Sequence, residues 1–76
     1  MNTEFFEDFK KQLREAAGPM GAVDRGTAAR ATGYSAKYLA NIDSRGDGPQ
    51  RFKRGRKTYY PIQPLVEWFA DRVRPA

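Results

Sequence analysis

Residues 27–69 read TAARATGYSAKYLANIDSRGDGPQRFKRGRKTYYPIQPLVEWF, and the way this stretch divides into elements decides the fold. Ala28, Ala29 and Ala31 keep the first helical pattern thin, so a second helix can lie close against it. Asp24 stands where an N-cap is needed, after Ala22-Val23. Gly33 ends the helix, because a tight helix-to-helix turn needs a positive φ that glycine reaches without strain. Ser35 is placed to cap the next helix, predicted to run to about Arg45 with Gly46 as its stop. Leu39 and Ile42 face inward, which leaves Ala36, Lys37, Tyr38, Ala40 and Asn41 on the outer side.

Asp47-Gly48-Pro49 is a turn. Beyond it Arg51 to Lys53 and Lys57 to Tyr60 read as two strands around Arg54-Gly55-Arg56, with Phe52, Thr58 and Tyr60 inward and Arg51, Lys53, Lys57 and Tyr59 outward. Pro61 and Pro64 end the second strand and open a last helix, where proline is tolerated in the first turn. Leu65, Trp68, Phe69 and Val73 share one face of it, making Trp68 the expected central aromatic of the core.

Upstream, residues 3–17 read as a helix capped by Asn2 or Thr3, acidic early (Glu4, Glu7, Asp8), basic later (Lys10, Lys11, Arg14) and stopped by Gly18-Pro19. Phe5, Phe6, Phe9, Leu13, Ala16 and Ala17 form its apolar stripe. The stripe is expected to pack on the chain's own core. A homo-oligomer contact through Phe5, Phe9 and Leu13 is the alternative. A membrane-surface role is disfavoured because the polar face mixes both signs. The organisation expected is an N-terminal amphipathic helix over residues 1–19 followed by a domain over residues 20–74.

The 76 residues suit one hydrophobic core. With no Cys and no His there is no thiolate, no imidazole base and no zinc site of the usual kind. An enzyme is therefore not expected, and neither is a cofactor. No window approaches the roughly 18 apolar residues of a membrane span, and Met1-Asn2-Thr3-Glu4 begins acidic where a secretory signal would begin basic. A cytoplasmic protein, at the bacterial nucleoid, is the expectation.

The net charge of +5 is concentrated. Residues 1–24 carry three basic and five acidic side chains, residues 25–57 nine and two, and residues 58–76 two and two. A localised positive patch is the electrostatic footprint of nucleic-acid binding. The outer face of the second helix of the pair suits a major groove. Asn41 can pair bidentately with adenine, Lys37 can reach guanine acceptors, and small alanines allow close approach. Lys37, Tyr38 and Asn41 are the expected base contacts. Arg30, Ser35 and Arg45 are expected on phosphates. Five of the seven residues from Arg51 to Lys57 are basic, and phosphate oxygens or a narrow minor groove would relieve their mutual repulsion. Lys53, Arg54, Arg56 and Lys57 are therefore the expected hairpin contacts. RNA is disfavoured, because the sequence shows no paired aromatics on an exposed sheet.

The AAxxTGYS turn, the linker SRGDGP, the hairpin RFKRGRKTYYP and the closing LVEWF together resemble the excisionase and AlpA-type group of small MerR-like winged-helix proteins of phages, plasmids and integrative elements. The resemblance covers roughly residues 23–70. It implies a mainly α fold with a small β-hairpin wing, a winged helix-turn-helix, to which the N-terminal helix is an addition. It implies a non-enzymatic protein of double-stranded DNA that acts as an excisionase (a recombination directionality factor), alongside an integrase, or as a transcription regulator. Asn41 stands where that group commonly has a basic residue, and Arg54 where it has an apolar one. The competing readings are a DNA-packaging adaptor like a terminase small subunit, and a protein-interaction module built on the Phe-rich helix.

Overall fold

Local end signals set the helices. In this computed structural model, which describes residues 3–73 and side chains from Phe6 onward, they are α1 (Thr3–Ala17), α2 (Arg25–Thr32), α3 (Ala36–Ser44) and α4 (Ile62–Arg72). Asn2, the side chains of Thr3 and Phe5, and the last residue of the expected 20–74 domain lie outside the described residues. Asp24 caps α2 by accepting from the Thr27 N–H at 2.9 Å, and Ser35 caps α3 by accepting from the Tyr38 N–H at 3.0 Å. Gly33 takes φ +82°, and its N–H closes α2 on the Ala29 carbonyl. A single 3₁₀ turn at Gly18–Met20 ends α1.

Among the described residues there are also three strands: β1 (Ala22–Asp24), β2 (Phe52–Arg54) and β3 (Lys57–Pro61). They form an antiparallel sheet in the order β1-β3-β2, with Val23 opposite Tyr60 and Phe52 opposite Tyr59. The fold is thus mostly helical with a small three-stranded sheet. A two-strand hairpin was expected. The third strand comes from Ala22-Val23-Asp24, expected only as a lead into α2, which instead pairs along the free edge of β3 and makes β3 central.

The hairpin register also corrects a facing. The loop is Gly55-Arg56 alone, with Gly55 at φ +65°, so Arg54 pairs with Lys57 and belongs to β2. A loop shorter by one residue than Arg54-Gly55-Arg56 moves the partner of Phe52 from Thr58 to Tyr59 and turns Phe52 to the other face. Phe52 is 41% exposed rather than inward.

The core joins all the helices to the sheet. Leu13, Val23, Leu39, Ile42, Tyr60 and Leu65 are fully buried, each aliphatic one worth about 1.5–3 kcal/mol. Phe9 and Phe69 bring α1 against α4, with ring centroids 4.8 Å apart. Phe9 and Leu13 are therefore taken up by the chain's own core. Trp68 is a second correction. Tyr60 holds the centre, while Trp68 is half-buried at the rim, donating its Nε1–H to the Asp47 carbonyl at 3.0 Å under the Arg72 guanidinium.

Candidate nucleic-acid interface

The polar centre of the molecule is Asp43. It lies on the inward stripe of α3 because it follows Leu39 by four positions and Ile42 by one, the spacing of one helical face. Its residue is only 4% exposed. Arg25, the first residue of α2, donates from Nη2 to Oδ2 at 2.8 Å, and Tyr60 of β3 donates its hydroxyl to the same oxygen at 2.5 Å. Arg25 Nε also donates to the Tyr60 hydroxyl at 2.9 Å, closing a three-membered ring of bonds. Burial opposes the Arg25 charge, but the bonds to Tyr60 and Asp43 raise its pKa overall. Burial, reinforced by the hydrogen bond to Asp43, pushes the Tyr60 phenol above its ordinary value.

Arg51 approaches from the base of the hairpin. Its Nη2 donates to the Asp43 carbonyl at 2.9 Å, while Nη1 stands 3.7 Å from Oδ1, an ion pair without a hydrogen bond. On the other side of Oδ1 lies Gly48, where any Cβ would overlap that oxygen and come within 3.0 Å of Cγ. Asp43 thereby ties the end of α3 to the start of α2, to β3 and, through Arg51, to the segment that leads into β2. Sequence reasoning missed Asp43, Arg25 and Tyr60 as a set. The available signal was an acid on an inward stripe, which a core accepts only with donors at hand.

The remaining cations stand outside. Lys37, Asn41 and Ser44 fall at i, i+4 and i+7 and form one exposed stripe along α3, with exposed Arg45 as its C-cap. Tyr38 is drawn back from that stripe. It is half-buried, its ring lies 5.0 Å from Tyr34, and its hydroxyl accepts from Arg72 Nη2 at 2.6 Å. The Arg72 guanidinium sits 4.7 Å from the Trp68 ring centre, 5.9 Å from Tyr34 and 6.0 Å from Tyr38. This cluster braces the α2–α3 turn against α4. Ser35 uses one oxygen lone pair on the cap and keeps its hydroxyl hydrogen to donate.

Arg56 and Lys57 meet the start of α2. With Asp24, Arg25, Gly26 and Thr58 they line an open cleft of about 240 Å³. Arg30 folds back over the same corner, donating to Thr27 Oγ1 at 3.2 Å. The hydrogen bonds from Thr27 hold the Asp24 carboxyl below its usual range, and Lys57 and Arg30 act in the same direction. The hairpin cations are split between two faces. Arg54 and Lys57 share one, while Lys53 lies opposite Thr58 on the other. Among the described residues no group of three His, Cys, Asp or Glu could hold a metal, and no helix is long and apolar enough to cross a membrane.

Comparison with protein-family models, curated proteins and solved structures finds no match for this chain.

Proposed function

We propose that the chain is a sequence-specific binder of double-stranded DNA, a winged helix-turn-helix of the excisionase or AlpA-like kind that serves a mobile element, either directing an integrase towards excision or regulating a promoter. The observation that carries this reading is the division of the cations in residues 25–57. Arg25 and Arg51 pair with Asp43, whereas Arg30, Lys37, Arg45, Lys53, Arg54, Arg56 and Lys57 are exposed with no acidic side chain within ion-pair distance among the described residues. Unpaired cations crowded on one hairpin and one helix cost stability in the free protein, and a polyanion removes that cost.

In this reading α3 enters the major groove. Asn41 and Lys37 on its exposed stripe meet base edges, Asn41 bidentately on adenine and Lys37 on guanine acceptors. Tyr38 stands behind them, its hydroxyl held by Arg72. The Ser35 hydroxyl and the Arg45 side chain at the two ends of α3, together with Arg30, fix the register on phosphates. The wing reaches the neighbouring backbone or minor groove with Lys53, Arg54, Arg56 and Lys57. The Asp43 centre holds wing and α3 in one relative placement, which is what makes phosphate contacts on one element informative for base contacts on the other.

Two substitutions test the division of labour. Asn41→Ala is expected to cost about 1–3 kcal/mol at one base pair and little on random duplex. Arg56→Ala is expected to weaken all duplexes alike and to flatten the salt dependence by about one unit. Equal losses on specific and random DNA for both variants would contradict the reading.

A further inference from the structure

The hairpin register places four side chains on its outer face, Phe52 opposite Tyr59 and Arg54 opposite Lys57. The two rings stack across the strands, with centroids 5.8 Å apart and planes 20° apart. The core is served from the other face by Thr58 and Tyr60, so packing does not call for aromatics here. Phe52 is nevertheless one of two large apolar side chains that stand widely exposed among the described residues. Arg54 and Lys57 stand exposed beside the ring pair, and Arg56 occupies the turn.

An exposed Phe52 stacked on a half-exposed Tyr59, next to cations on a sheet, matches a strand whose bases are unstacked. Bases stack on the rings and the phosphates between them meet the cations. A paired duplex keeps its base faces covered and offers only phosphates and groove edges, so it would leave the rings without a partner. We infer that the outer face of the hairpin is a stacking platform for an unpaired DNA strand, one base lying on the Phe52–Tyr59 pair and the adjoining phosphates on Arg54 and Lys57. The choice of DNA over RNA rests on the duplex-binding reading above; the stacking itself does not. A cross-strand aromatic pair also steadies a hairpin, and that role is separable because it affects melting and leaves the preference between ligands untouched.

Fluorescence anisotropy of the intact chain with labelled oligothymidylate, an abasic strand of equal length, oligouridylate and a duplex tests this. Oligothymidylate should bind about 5- to 150-fold more tightly than the abasic strand, the worth of one stacked base. The double variant Phe52→Leu, Tyr59→Leu should lose that preference while keeping its affinity for the abasic strand and for duplex. Arg54→Ala with Lys57→Ala should weaken both strands together. Equal binding of thymidylate and abasic strands by the unaltered protein would overturn the platform, and this comparison needs no substitution to fold. An unchanged preference in the leucine variant would overturn it as well, and tighter binding of oligouridylate would overturn DNA as the occupant. Loss of duplex affinity in the unaltered protein with the thymidylate preference intact would sink the duplex reading and uphold the platform.

Discussion

Replacing Asp43 with alanine should unfold the protein far below the temperature of the parent chain. The substitution removes the acceptor of two hydrogen bonds, from Arg25 Nη2 at 2.8 Å and from the Tyr60 hydroxyl at 2.5 Å. It leaves the Arg25 guanidinium facing a phenol and a void. Breaking a buried ion pair from one side costs about 3–5 kcal/mol. The Arg25 side chain is 29% exposed and can recover part of its hydration, which places the loss at the low end, about 3 kcal/mol. A chain of 76 residues has a total stability of about 4–11 kcal/mol. The loss corresponds to a fall in Tm of about 12–24 °C, at about 4–8 °C per kcal/mol for this size. Thermal and urea unfolding followed by circular dichroism reads it directly. A double-mutant cycle with Arg25→Ala should return a coupling of more than about 1 kcal/mol, because each substitution removes the same contact. A Tm within a few degrees of the parent, or strictly additive losses in the cycle, would refute the claim that Asp43 clamps α2, α3 and the hairpin together.

Other outcomes follow from the same geometry. Gly48→Ala should cost about 1–3 kcal/mol by overpacking, since its Cβ would overlap Asp43 Oδ1, and the loss should shrink when combined with Asp43→Ala in urea titrations. Gly33→Ala meets nothing within 4 Å, so its cost of about 1–2 kcal/mol, seen in Tm, should be purely the strain of φ +82° on a residue with a Cβ. Asp24→Ala should cost about 0.5–2 kcal/mol as a lost cap. Because the Asp24 pKa is lowered on folding, that contribution is complete above the ordinary carboxylate range and disappears as pH falls through the lowered value, which unfolding at graded acid pH will show. The Tyr60 phenol is raised instead, so its contribution is complete below about pH 10 and is lost as pH rises through the raised value. Tyr60→Phe should abolish this alkaline component of the stability profile.

Most helix ends were legible because capping is local. Asp24, Ser35 and Gly33 act on backbone groups within four residues of themselves, and each does in the fold what its type and position predicted. Strand β1 was not legible, since three residues carry no alternation of their own and Ala22-Val23-Asp24 become a strand only when β3 lies beside them. The outward turn of Phe52 depended on one residue of loop length, a quantity that a Gly-centred basic turn leaves open and that decides every facing on the strand. That same difference placed Phe52 beside Tyr59, where the sequence had shown no aromatic pair. Trp68 was misplaced because a helical face locates a residue on a stripe without locating it along the core's depth, and α4 reaches the rim at that turn. Of the candidate contacts, Arg30, Ser35, Lys37, Asn41, Arg45, Lys53, Arg54, Arg56 and Lys57 are exposed. Tyr38 is half-buried and its hydroxyl is bonded to Arg72, a partner 34 positions away that no local pattern could indicate.

The central claim is recognition of a particular duplex sequence. Selection from a random duplex library at about physiological salt, followed by sequencing of the retained DNA, tests it most directly. The account predicts an enriched site, as direct repeats about one helical turn apart for cooperative binding or as an inverted repeat for a dimer. A retained pool indistinguishable from the starting library would contradict it.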